Sequence, residues 1–274
     1  MIDKFRKIFG SVIKALEIIY VIEGVKPAAR IMVKDDEFDN IKNFLKEYKL
    51  DIIKSEFKIK KDDAGDYSDK GSKIGLNEKG YYFSYIAKTK DVAKKLKRLE
   101  RFDNHVELGM ALGYPRCCCE FFERNFLSES QNKNDFTLDT LRESDGYEFP
   151  SYNNIAARHF DISLLNHFPC SFNCRESIKI AEKNLGVIKK CSNEWHDIFK
   201  GILNSAVLYT ENGVFLLREF KLENNKLFFN NIMASTNNEL YEKLKKANFI
   251  EIIDKNSVLL CGEKIKNVGV MVFN

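Results

Sequence analysis

The sequence predicts an α/β (α+β) protein in three parts, and three observations carry that prediction. Apolar residues recur at helical spacing over 2–22, 35–48 and 91–112. Short alternating or β-branched runs lie towards both ends, at 28–33, 51–59 and 80–89 and again from 214 onward. Between them, residues 113 to about 205 hold three of the four prolines, six of the seven cysteines and three of the four histidines. The expected parts are therefore a small α/β region (1–90), a helical centre bearing cysteine and histidine (91–210), and a second small α/β region (211–274).

Each element has a local reason. Ile2, Phe5, Phe9, Val12, Ile13, Leu16, Ile19 and Tyr20 make one apolar face of a helix that Gly24 ends. A strand at 28–33, a helix at 35–48 and strands at 51–59 and 80–89 then form a unit with helices on one face. The polar stretch 60–80 reads as a long loop or hairpin. A long helix over 91–112 stops at Gly113. Helices follow at 115–127, 152–166, from Pro169 to about 185 (where Gly186 weakens it) and 192–209, with a polar connection at 128–151. The end returns to strands at 214–222 and 227–232 around Asn224-Asn225. A helix at 237–247, a hairpin at 249–253 and 257–261, and a strand at 268–273 complete the chain.

Composition narrows the class. Of 274 residues, 44% are hydrophobic and 31% charged, which suits a soluble globular protein. The net charge of +4 comes from mixed signs, so RNA as a partner is permitted but not argued for. No run of about 20 apolar residues exists to span a membrane. Lys4, Arg6, Lys7, Lys14, Glu17 and Glu23 interrupt the N-terminal apolar residues, so no signal peptide is expected and the location expected is cytoplasmic. Cysteines in such a chain read as metal ligands or reactive thiols before disulfides.

Five of the cysteines fall in two motifs, Gly113-Tyr-Pro-Arg-Cys-Cys-Cys-Glu-Phe-Phe122 and His167-Phe-Pro-Cys-Ser-Phe-Asn-Cys174. Proline is favoured at the first position of a helix. If Pro115 and Pro169 open helices, Cys117 and Cys118 lie in one first turn. Cys170 then lies beside Pro169, and Cys174 one turn on along the same face. Free N–H groups there favour thiolate, the form that binds metal.

The candidate ligands are thus Cys117, Cys118, Cys170 and Cys174, with His167 as a further ligand or a base. Cys119 is a spare, because adjacent helical side chains diverge by about 100°. Two adjacent ligands fit a multi-iron cluster more easily than one ion, so an iron–sulfur cluster is preferred to Zn, although the usual ferredoxin and zinc-ribbon spacings are absent. Arg116 and Arg175 (with Arg158) make a cationic rim suited to an anion. Cys191 and Cys261 read as buried small apolar residues, and His196 as structural. His105 and His159 fall late in helices that precede the cysteine turns.

Two other functions fit the same residues. One is a metal-free thiol enzyme, with Cys117, Cys118 or Cys170 as nucleophile and His167 or His159 as base. The other is a zinc-stabilised RNA-binding module. It would use the basic runs Lys58–Lys61 and Lys88–Arg101 and the aromatic strand 81–85 as a stacking platform. Whether the protein is an enzyme, and of cofactor or sulfur metabolism, stays open at this level.

The Gly113-Tyr-Pro-Arg-Cys-Cys and His167-Phe-Pro-Cys-Ser-Phe-Asn-Cys-Arg-Glu-Ser177 motifs resemble a mainly archaeal family known as a domain of unknown function. The resemblance spans roughly residues 105–185. It implies a cytoplasmic archaeal protein from a methanogen-like anaerobe, which the Lys-, Ile- and Asn-rich composition suits. It also implies that the first two cysteines of the triplet form the working pair. It implies no particular activity.

Overall fold

The computed structural model describes residues 1–61, 71–129 and 135–274. The chain divides into two compact units, Met1–Asp135 with Gly186–Ser192, and Phe136–Leu185 with Asn193–Asn274.

The first unit begins with α1 (Ile2–Phe9) and α2 (Val12–Ile22) rather than one helix. The break has a local cause: the Ser11 hydroxyl accepts from the Lys14 N–H at 3.3 Å and caps α2. Next come β1 (Ala28–Lys34), α3 (Phe38–Lys46), β2 (Asp51–Lys61), β3 (Gly71–Ile74) and β4 (Tyr81–Ala87). They make an antiparallel sheet in the order β1-β4-β2-β3. The expected loop at 60–80 includes β3, and its residues 62–70 lie outside those described.

Helices cover both faces of this sheet, not one. Phe83, Tyr85 and Ala87 pack with Ala93 and Leu96 of α4 (Lys90–Arg101) and Leu108 of α5 (His105–Ala111). On the other face, Tyr82 meets Phe38 of α3 edge-on. The near-continuous apolar run of β4 fits this two-sided burial. It also uses up the proposed stacking platform, since Tyr82, Phe83 and Tyr85 are core residues. The helix expected over 91–112 is broken at Asp103, which adopts φ 49°. The Asn104 side chain then accepts from the Glu107 N–H at 3.1 Å to start α5. The last helix to start in this unit is α6 (Arg116–Glu129).

The second unit opens with α7 (Thr137–Arg142) and β5 (Glu148–Phe149), both inside the stretch read as a polar connection, of which 130–134 are not described. Two 3-10 turns, Ser151–Asn153 and Ile155–Phe160, replace the helix expected at 152–166. The Asn153 and Asn154 amides donate to the distant carbonyls of Phe172 and Leu203, at 2.8 and 2.9 Å, in place of helical bonding.

Helix α8 (Arg175–Cys191) starts six residues later than Pro169 and passes through Gly186. A methyl group added at Gly186 meets no atom within 4 Å. Gly186→Ala should therefore raise stability by about 0.5–1 kcal/mol, read as a higher denaturant midpoint at constant slope.

After α9 (Asn193–Leu203) the chain turns at Ser205 into β6 (Ala206–Thr210), a buried strand where helix was expected. Then follow β7 (Gly213–Arg218), β8 (Lys221–Glu223), β9 (Lys226–Phe228), β10 (Asn231–Ala234), α10 (Glu239–Lys246), β11 (Phe249–Asp254), β12 (Ser257–Leu260), β13 (Glu263–Lys266) and β14 (Gly269–Phe273). The Asn224-Asn225 turn forms as read, with both residues left-handed at φ 48° and 67°. Glu219, at φ 51°, divides β7 from β8, which join different sheets. One sheet runs β10-β7-β6-β14-β5 with only the β14–β5 pair parallel, and the other runs β13-β12-β11-β9-β8. Phe215, Leu227, Ile250, Val258 and Val270 are among the buried residues of one shared core.

The α/β mixed class is thus as expected. Among the described residues no helix is long and apolar enough to cross a membrane.

Candidate metal centre

The approach to α6 is fixed by backbone conformation. Gly113 takes φ +88°, and a β-carbon there would come within 2.7 Å of Pro27 Cδ. Pro115 follows as the capping residue, its carbonyl accepting from the N–H groups of Cys118 and Cys119, each at 3.0 Å. Cys117 and Cys118 consequently occupy the first turn, as the proline signal predicts, and their sulfurs are 3.9 Å apart. Cys117 is exposed and Cys118 buried.

Cys119 turns elsewhere. Its Sγ lies 3.9 Å from the Tyr114 carbonyl and fits over Gly109, where a β-carbon would stand only 2.6 Å from the sulfur. Burial pushes its thiol up to about 11. At mildly alkaline pH it stays protonated, so iodoacetamide should label Cys119 far more slowly than exposed Cys261, as peptide mass spectrometry would report.

The second motif is built differently from the sequence expectation. Pro169 does not open a helix. Residues 169–174 form an irregular loop, and Cys174 is the capping residue of α8, with its carbonyl taking the Ile178 N–H at 3.1 Å. Serine hydroxyls compete with helical bonding here: Ser144 Oγ accepts from the Phe172 N–H at 2.9 Å and Ser171 Oγ from the Asn173 N–H at 3.2 Å. A turn bond from the Cys174 N–H to the Ser171 carbonyl, 2.9 Å, bends the Cys-x-x-x-Cys segment.

The ligating atoms of Cys117, Cys118, Cys170 and Cys174 all lie within 4.8 Å of one another. Among the described residues no other set of three or more His, Cys, Asp or Glu side chains gathers in this way. Four thiols so placed could hold a metal ion. His167 is not in the set. It is buried, and its Nε2 pairs with Ser177 Oγ at 2.9 Å in the first turn of α8.

The remaining candidates have other surroundings. Arg116 pairs with Glu120 one turn on, at 2.7 Å, and Arg175 is exposed at the first position of α8. Arg158 is buried, donates to the Ile155 carbonyl at 3.0 Å and stacks on Phe168. His105 packs against Phe126 at 4.4 Å and His159 pairs with the Tyr209 hydroxyl at 3.1 Å. Cys191 is half-buried at the end of α8, where burial raises its thiol. Cys261 is exposed, so the expectation that it is buried does not hold.

Sequence reasoning missed Thr140, Ser144 and Asn153, which grip the Cys170–Cys174 loop. They lie 17 to 34 residues from the cysteines they serve, and only the Asn153-Asn154 doublet hints at a turn. Comparison of the chain with protein-family models, with curated proteins and with solved structures returns no match.

Proposed function

We propose that the chain is a metal-binding protein whose four thiolates, Cys117, Cys118, Cys170 and Cys174, hold a single tetrahedral ion, zinc or iron. The observation that carries this reading is the mutual spacing of the sulfurs, all within 4.8 Å. At a metal–sulfur distance of about 2.3 Å, four sulfurs at the corners of a tetrahedron are about 3.8 Å apart. The 3.9 Å between Cys117 and Cys118 suits one edge of it. An iron–sulfur cubane binds each thiolate at a separate corner iron, pointing outward, which spreads the sulfurs further apart than one ion does. The spacing therefore favours the single ion over the cluster that two adjacent cysteines suggest.

Four protein ligands complete a tetrahedron and leave no position for water or substrate. That is the pattern of a structural site rather than a Lewis acid. Four thiolates on a divalent ion carry a net negative charge. The first turn of α6 and the start of α8, whose residues supply three of the sulfurs, offset it with the positive ends of their helix dipoles.

Anaerobic purification followed by elemental analysis, sulfide assay and absorption spectroscopy tests the proposal. One zinc or iron per chain without acid-labile sulfide is the expected result. Several irons with equivalent sulfide would replace the single ion by a cluster. No stoichiometric metal, and no uptake of Co(II) by the reduced protein, would overturn both.

A further inference from the structure

The Cys170–Cys174 loop is held at the Pro169 carbonyl, at both backbone groups of Phe172 and at the Cys174 carbonyl by side chains with no metal chemistry of their own. The Thr140 hydroxyl donates to the Pro169 carbonyl at 2.8 Å. Ser144 Oγ accepts from the Phe172 N–H at 2.9 Å, donates to the Thr140 carbonyl at 2.6 Å, and meets Ser171 Oγ at 3.3 Å. Asn153 Nδ2 donates to the Phe172 carbonyl at 2.8 Å and reaches the Cys174 carbonyl at 3.5 Å. Thr140, Ser144 and Asn153 are all buried, at 0%, 2% and 0% exposure. The Phe172 side chain anchors the middle of the loop, its ring 5.0 Å from Phe149 and 5.2 Å from Phe273.

Such an arrangement is costly for a loop that only connects two elements. Buried polar side chains destabilise a core unless their bonds are made. Asn153 leaves its own Oδ1 buried without a hydrogen-bond partner among the described residues, while its amide N–H groups serve the loop. What the network secures is the backbone on either side of two sulfurs.

We infer that Asn153, Thr140 and Ser144 are positioning residues that preform the Cys170–Cys174 half of the metal centre before any ion binds. The inference rests on the four-thiolate reading for its ligand, but the preformed loop is a property of the metal-free chain. Groups that orient ligands from behind typically affect metal affinity about 10–100-fold when lost. Fixing two of four ligands in advance lowers the ordering entropy that binding must overcome.

The test uses the full chain, reduced and stripped of metal, with Cd(II) as the probe. Hydrogen exchange of the wild type comes first. The Phe172 and Cys174 amides should be protected without Cd(II) nearly as well as with it. Protection that appears only on adding Cd(II) overturns the inference.

Affinity follows from cadmium–thiolate absorption. Thr140→Val and Asn153→Asp nearly keep side-chain volume and remove the donors. Each should weaken Cd(II) binding about 10–100-fold while leaving the final absorption amplitude unchanged. A variant that loses thermal stability in the metal-free form yet binds Cd(II) as tightly as wild type overturns the positioning role. A wild type that binds no Cd(II) defeats the four-thiolate reading, and the exchange measurement still decides whether the loop is preformed. If a variant does not fold, that measurement, made on the wild type, stands by itself.

Discussion

Cys118→Ser should weaken metal binding by about 100–1000-fold, and the same change at Cys117, Cys170 or Cys174 should do likewise. Four-thiolate zinc sites bind with about 10–16 kcal/mol. Removing one ligand in four forfeits roughly a quarter of that, about 3–4 kcal/mol. The control set is built into the sequence. Cys119→Ala, Cys191→Ala and Cys261→Ala should each retain one ion at wild-type affinity, because none of these sulfurs belongs to the gathered four.

Competition with a chromophoric chelator gives the dissociation constants. Equal losses across all seven positions, or a loss at Cys119 with none at Cys170, would refute the assignment. Binding should also weaken on acidification, since protons compete for each thiolate.

Lys26→Met should destabilise the first unit by about 3–5 kcal/mol. Lys26 is ion-paired with Glu17, and both side chains are more than nine-tenths buried. The ammonium also lies 3.4 Å from the Tyr114 hydroxyl and 4.8 Å from the centre of that ring. Removing the lysine strands the Glu17 carboxylate in the core, the costly half of breaking any buried pair. A drop in melting temperature of about 6–20 °C is expected. Glu17→Leu combined with Lys26→Met should recover most of it, since an apolar pair of similar volume is often as stable as the ions it replaces. A double variant no better than Lys26→Met would show that packing, not stranded charge, sets the loss.

The pH dependence has a definite sign. Burial lowers the Lys26 value below the ordinary 10.5, so the unfolded chain holds the proton more tightly than the folded one. This group's contribution to stability should therefore increase as pH rises through the interval below 10.5.

How much of this could be read in advance depended on how local its causes are. Pro115 and the Cys117-Cys118 pair were legible because a proline cap acts within four residues. Asn224-Asn225 was legible for the same reason, since a two-residue turn needs only left-handed conformations that asparagine tolerates. Pro169 misled because the bonds that hold residues 169–174 out of a helix come from Thr140, Ser144 and Asn153, remote in sequence. Residues 206–209 read as helix in the sequence because a short buried strand and a buried helical turn share one apolar pattern, and only their pairing with 269–272 separates them. Adjacency along the chain does not specify sulfur-to-sulfur distances, so the choice between a cluster and a single ion is not legible in the sequence.

The contact between Cys119 and Gly109 bears on why only two thiols of the triplet join the gathered four. Three consecutive thiols on a helix offer two adjacent pairs, Cys117 with Cys118 or Cys118 with Cys119, and the rotational phase of α6 about its own axis selects between them. The hollow left by a residue with no side chain admits the phase that is seen, since a β-carbon at 109 would stand only 2.6 Å from the third sulfur. Residue 109 thus works as an index notch, which an alanine at 119 would leave open, whereas any bulk at 109 itself would turn the dial.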